Sequence, residues 1–114
     1  MAEDIRAQAK YIPYSPQKVR LVIDLVRGKD VTAAIDSLRF LQNKAALPVS
    51  KVLASAMANG EENFGVSRDD LYVYEIFADE APSRRWRRFG ARGRFKPLIR
   101  RASHITVVLR ERES

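Results

Sequence analysis

Hydrophobic residues along this chain switch between two spacings, and each switch marks an element. Ile5, Ala7, Ala9 and Tyr11 alternate with Arg6, Gln8 and Lys10. That period of two predicts a short, half-buried strand over 5–12, closed by Pro13. Val19, Val22, Ile23 and Val26 then fall at i, i+3, i+4 and i+7, the stripe of an amphipathic helix. Ser15-Pro16 opens it, with Ser as a favoured N-cap and Pro pre-organised for the first helical position. Gly28 suits a left-handed stop. Leu21 and Leu25 widen the stripe, so the spacing predicts a largely covered helix. Asp30 is the expected cap of a second helix, with Val31, Ala34, Ile35 and Leu38 inward and Phe40 and Leu41 extending the apolar surface.

After a break at Gln42-Asn43, a third helix carries Ala45, Val49, Val52, Leu53 and Ala56. Pro48 is tolerated only in its first turn. Its end is open between Asn59-Gly60 and Gly65. Ala45, Ala46, Ala54, Ala56 and Ala58 are small enough to let it approach its neighbours closely. A polar turn at 66–70 follows, and the period returns to two. Leu71, Val73 and Phe77 take one face, and Tyr72, Tyr74, Ile76 and Ala78 the other. Both faces begin apolar, which predicts a central or covered strand. SHITVVLR at 103–110 is β-branched and alternating, a second such strand. The two pair most simply as an antiparallel hairpin, with everything between them as the connection.

The expected fold class is therefore α+β: a small antiparallel sheet packed with three helices, plus a long protruding β-hairpin. One domain spans 1–114, with a body of 1–78 and 103–114 and an arm of about 79–102. From Phe77 to Ile105 is 28 residues. At roughly 3.3 Å per residue, about 14 residues per side reach on the order of 45 Å. A two-stranded ribbon that long is marginal alone in water, so the arm is expected to be mobile when free and ordered when embedded in a partner.

Charge identifies the partner class. Residues 84–101 read RRWRRFGARGRFKPLIRR, with nine Lys or Arg and no Asp or Glu. The whole chain has 21 basic and 14 acidic residues, net +7, so without this window 12 basic residues face 14 acidic ones. Nine like charges gain little by collapsing together. A phosphate backbone suits them, because each neutralised phosphate releases condensed counterions. Eight of the nine are Arg, whose planar fork grips phosphate and stacks on bases. Trp86, Phe89 and Phe95 are interleaved, as in surfaces that meet nucleobases. Lys18 and Arg20 lie in the first turn of their helix, where the dipole disfavours cations. A phosphate would relieve that, and so would simple solvation.

Other chemistries find little support. The absence of cysteine excludes disulfides and Cys-ligated metals. No apolar run approaches the roughly 20 residues that span a bilayer, and MAEDIRAQ lacks the apolar core of a signal peptide. A cytoplasmic protein is expected, with RNA and DNA among the polyanions available. His104 is the one histidine. It neighbours Ser103, but adjacent strand residues face opposite sides and make no nucleophile–base pair. His104 reads instead as an RNA-facing or structural strand residue. Asp69-Asp70 and Asp79-Glu80 offer too few converging ligands for a catalytic metal. No Gly-rich phosphate loop is present. Neither enzymatic activity, a cofactor, a small-molecule substrate nor a membrane partner is expected.

Five motifs in order carry a resemblance: SPQKVRLVIDLVRGK at 15–29, KVLASAMAN at 51–59, DDLYV at 69–73 with DEAPS at 79–83, ARGR at 91–94 and SHITVVL at 103–109. The chain resembles the bacterial-type large-subunit ribosomal protein family twenty-two, whose long hairpin lines the peptide exit tunnel. The resemblance covers nearly the whole chain. It implies a globular body on the outside of the large subunit, a hairpin threaded through large-subunit ribosomal RNA, neighbouring large-subunit proteins as partners, and a part in assembly. Carried over by position, Ser15, Gln17, Lys18 and Arg20 look like RNA contacts. So do Arg84, Arg85, Arg87, Arg88, Arg92, Arg94, Lys96, Arg100 and Arg101, with Ser103 and His104 at the root of the arm. Gly90, Ala91 and Arg92 would form the tip nearest the nascent peptide. The tip departs from the family pattern: Phe89-Gly90 stands where a Pro-Arg often precedes the Ala. A DNA-associated regulator or architectural protein with a basic β-ribbon is the alternative reading of the same arm. A small nuclease built on Asp79, Glu80 and His104 is a third.

Overall fold

The period-two segments fold as strands and the longer-period segments as helices. In the computed structural model they run β1 (Ile5–Ile12), α1 (Pro16–Val26), α2 (Val31–Leu38), α3 (Ala46–Phe64), β2 (Leu71–Glu80), β3 (Arg84–Phe89), β4 (Phe95–Arg100) and β5 (Ser103–Glu111). A 3₁₀ turn at Arg68–Asp70 leads into β2. The structure describes residues 4–81, 84–89 and 95–112, with the backbone alone at 84–89 and 95–100. Three helices pack on a three-stranded antiparallel sheet of order β1-β5-β2, the expected α+β class. β3 and β4 form a separate two-stranded sheet. The longest extent of the molecule is 67 Å, against 26 and 18 Å across it.

The central strand is β5. Ile105, Val107 and Leu109 face the helices, and Val108 and Thr106 are buried on the other side. A strand apolar on both faces gains most between two neighbours. β2, expected to be central or covered, is therefore an edge strand, and its face assignment also changes. Pairing passes from Val73↔Leu109 to Glu75↔Val108, a bulge that leaves Tyr74 without a partner. The extra residue reverses the alternation. Leu71, Val73, Ile76 and Ala78 thus share the buried face, while Tyr74 and Phe77 are exposed. β1 does the same: its register jumps from Ala9↔Ile105 to Ile12↔Ser103. Tyr11, at φ +56°, turns out to 53% exposure, and Ile12 takes the inward place.

Helix predictions hold on the stripes and fail on their margins. Val19, Val22, Ile23 and Val26 are all buried, but Leu21 and Leu25 are 64% and 48% exposed. Among the described residues α1 packs mainly on β2, α2 and α3, and Leu21 and Leu25 lie outside that contact. Phe40 is 86% exposed, because α2 stops at Leu38 and the chain turns out of the stripe. Ser15 and Asp30 occupy the N-cap positions of α1 and α2, but neither side chain caps. The Asp30 carboxylate accepts from Arg112 Nε instead. Ala45, Ala46 and Ala56 are buried, while Ala54 and Ala58 are exposed.

α3 starts at Ala46, which puts Pro48 in its first turn, and ends at Gly65, whose φ is +64°. Gly60 is inside the helix. A Cβ there would stand 3.0 Å from Leu71 Cδ1 and 3.2 Å from Ile5 Cδ1. The glycine lets α3 lie close against β1 and β2. Gly60→Val should therefore destabilise the chain by about 1–3 kcal/mol, the usual cost of overpacking. Urea unfolding with an unchanged m-value checks it, and wild-type stability would show that the space beside Gly60 accepts a side chain.

Candidate nucleic-acid interface

The root of the arm is the β2–β5 pair. An edge strand leaves a row of backbone donors and acceptors unpaired; on β2 these are covered from the α1 side. The Val73 N–H donates to Lys29 O at 2.9 Å, and the Gly28 N–H donates to Val73 O at 3.0 Å. Beyond the bulge, Arg27 Nη2 donates to Ile76 O and Arg20 Nη2 to Ala78 O, both at 3.0 Å. Arg27 also pairs with Asp24 at 2.7 Å. Arg20 and Arg27 are seven residues apart and so lie on one side of α1. Sequence reasoning missed this second use of Arg20 and gave Arg27 none. The signal was present as two arginines two turns apart on the flank of the stripe.

At the end of the three-stranded sheet the Ala81 N–H donates to Ala102 O at 2.9 Å. Ser103 is fully buried, and its hydroxyl donates to Tyr14 O at 2.7 Å. His104 Nδ1 accepts the Tyr11 N–H at 3.1 Å, and its ring meets the Tyr11 ring edge-on at 4.8 Å. The two neighbours thus face different ways and tie the arm's root to the turn that leads into α1. On α1, Gln17, Lys18 and Arg20 are exposed and Ser15 is half-buried. The exposed first-turn residues and the arm therefore share one end of the body.

In the arm, β3 and β4 pair as Arg84↔Arg100, Arg85↔Ile99, Trp86↔Leu98, Arg87↔Pro97, Arg88↔Lys96 and Phe89↔Phe95. Two of these six pairs set a cation directly opposite a cation, an arrangement that destabilises a ribbon in isolation. Arg101 is exposed. Gly90, Ala91, Arg92 and Arg94 lie outside the described residues.

Body arginines behave differently. Arg110 donates to Asp4 at 2.6 Å and lies 3.5 Å over the Tyr74 ring; the hydrogen bond to Asp4 is the main cause that raises its pKa. Arg112 pairs with Asp30 and lies over Tyr72. Arg68 pairs with Glu61 at 2.7 Å, which raises its pKa as well, first through that hydrogen bond and then through charge. Among the described residues, no group of three His, Asp or Glu side chains is placed to hold a metal ion, and no helix is long and apolar enough to cross a membrane.

The family model described as ribosomal protein L22p/L17e matches residues 7–110. Two relatives carry the name large ribosomal subunit protein uL22, one from Thermoanaerobacter sp. (strain X514) and one from Thermoanaerobacter pseudethanolicus (strain ATCC 33223 / 39E). Each is 47% identical over 110 residues, which span 96% of this chain and 99% of the relative.

The cations of α1 and its C-cap should separate into two classes. Arg20→Ala and Arg27→Ala should each cost about 0.5–1.5 kcal/mol, the worth of one net hydrogen bond, because each removes a cover from β2. Lys18→Ala should stay within about 0.5 kcal/mol of wild type, as an exposed substitution, so any loss of RNA binding in it would report a contact and not a folding defect. Thermal unfolding and filter binding on the same three variants read the two effects apart.

Proposed function

The chain belongs to the ribosomal protein L22p/L17e family, and we propose on that premise that it binds large-subunit ribosomal RNA through its arm and α1, aids subunit assembly, and reaches the exit-tunnel wall with its tip. The family is one of structural proteins of the large ribosomal subunit, not of enzymes. The observation that carries the reading is the register of the ribbon. Arg84 faces Arg100 and Arg88 faces Lys96 across the strands, in an 18-residue window without one carboxylate. The protein supplies no counter-charge within that window. Phosphates on both sides of the ribbon would supply it and release counterions as they do.

Each part then has a physical role. Arg85, Arg87, Arg92, Arg94 and Arg101 extend the same cationic track. Gln17 and Lys18 add contacts at the body, and Arg20 has guanidinium donors left beyond the one spent on Ala78 O. Ser103 and His104 fix the direction in which the arm leaves the sheet. Gly90, Ala91 and Arg92, which fall between the two ribbon strands in sequence, are the proposed contacts to the nascent peptide. Binding several RNA segments at once, from body and arm together, is what would make the chain an assembly factor, with neighbouring large-subunit proteins bordering its body.

Replacing Arg84, Arg85, Arg87 and Arg88 with Ala should leave the body folded by circular dichroism and sharply reduce co-sedimentation with large subunits. The slope of log K against log salt should flatten by roughly one unit for every phosphate the variant no longer neutralises. Unchanged incorporation would reject the arm as the RNA-binding element. A duplex-DNA partner would show itself as tighter binding to DNA than to ribosomal RNA fragments at equal salt.

A further inference from the structure

Between the α2–α3 turn and the Tyr14 turn lies a half-open cavity of about 430 Å³. That is within the roughly 300–1,000 Å³ typical of small-molecule sites. Leu38 and Ala46, both buried, are its floor, and Tyr14 and Leu41 are half-buried in its wall. Leu47 stands at the rim, 62% exposed. Gln42 and Ser50 add an amide and a hydroxyl to the lining, and neither side chain is hydrogen-bonded among the described residues. Arg39 and Lys44 bring positive charge, and no carboxylate lines the cavity. Lys44 has no ion pair among the described residues, and Arg39 has only a loose, exposed one to Asp36 at 3.7 Å.

A ring, an aliphatic wall, free hydrogen-bonding groups and cations are what a single nucleotide needs. Its base stacks on the ring, its edge is read by the amide and hydroxyl, and its phosphate takes the charge. An acidic peptide would use the cations but leave Gln42 and Ser50 without a reason to converge. Position favours RNA as well. Tyr14 immediately precedes the Ser15–Lys18 turn, and its carbonyl holds the buried Ser103 hydroxyl at the root of the arm. The cavity therefore borders the first turn of α1 through Tyr14, the residue that also ties to the root of the arm.

We propose that this cavity receives one unpaired, splayed-out nucleotide of the RNA partner. Its base lies against Tyr14 and the Leu41 and Leu47 side chains, Gln42 and Ser50 meet its edge, and Arg39 and Lys44 meet its phosphate. The inference rests on the RNA-binding reading and adds the state of the nucleotide that the body selects.

The test uses the full chain assembled into large subunits, with Leu47 replaced by the photoreactive residue p-benzoylphenylalanine. Irradiation should give one reverse-transcription stop, at an unpaired nucleotide. Ser50→Trp, which fills the cavity, should leave incorporation through the arm intact and raise severalfold the reactivity of that nucleotide's 2′-hydroxyl toward an acylating probe. Arg39→Ala combined with Lys44→Ala, both exposed, should raise it too, which covers the case in which the tryptophan prevents folding. A crosslink to protein only, a stop at a paired nucleotide, no adduct at all, or unchanged reactivity in both variants would overturn the proposal while RNA binding stands. Failure of the wild-type chain to enter the particle would overturn the RNA-binding reading itself.

Discussion

The structure depends on one strand that has to be buried on both sides. β5 presents Ile105, Val107 and Leu109 to the helices and Thr106 and Val108 to the opposite face. Only the middle of a sheet gives such a strand two neighbours, so β1 and β2 flank it and both become edges. β2 and β5 are also the two ends of one hairpin. Fixing β5 in the centre therefore fixes where the chain leaves the body, at Ala81 and Ala102. The basic window is thus built onto a pair that includes the central strand β5, which ties the arm's root to the core.

The edges are where local chemistry solves what the pattern created. On β2, the loop at Gly28–Lys29 and the side chains of Arg27 and Arg20 cover the outer backbone groups. A long charged side chain suits this, because its apolar stem lies along the helix while its head reaches the carbonyl. It also blocks the edge against pairing with another chain. On β1, the turn-out of Tyr11 gives His104 a backbone N–H and a ring to pack against. Each irregularity thus has a contact that maintains it.

Much of this was legible in the sequence, and the failures have a common cause. Stripes such as Val19–Val22–Ile23–Val26 were readable because helical spacing is set by the element itself. The ends of α3 needed tertiary information. Gly60 could be a stop or an interior residue until Leu71 and Ile5 are seen to crowd it from the side. The faces of β2 were misread because a bulge at Tyr74 adds one residue, and nothing in LYVYEIFA announces it. Burial of Leu21, Leu25 and Phe40 was overestimated because an apolar residue shows only that it could be covered, not that the fold has a layer to cover it. At the site, the cationic window was plain from composition. The structural duties of Arg20, Arg27 and Ser103 were not, because each depends on a partner some 50 to 90 residues away in the chain.

Charge is partitioned the same way as burial. Arg27, Arg39, Arg68, Arg110 and Arg112 each find a carboxylate within the body. Such exposed pairs add little stability, typically under about 1 kcal/mol each. Their consequence is electrostatic: five of the body's arginines lie beside a carboxylate, in a body whose 12 basic residues nearly balance its 14 acidic ones. The arm is different by sequence alone, since it has no carboxylate to pair with. A nearly neutral body adds little repulsion to the approach of a polyanion, and a cationic arm concentrates the attraction where the chain is narrowest. On the proposed RNA-binding reading, such a distribution of charge would favour an arm-first approach.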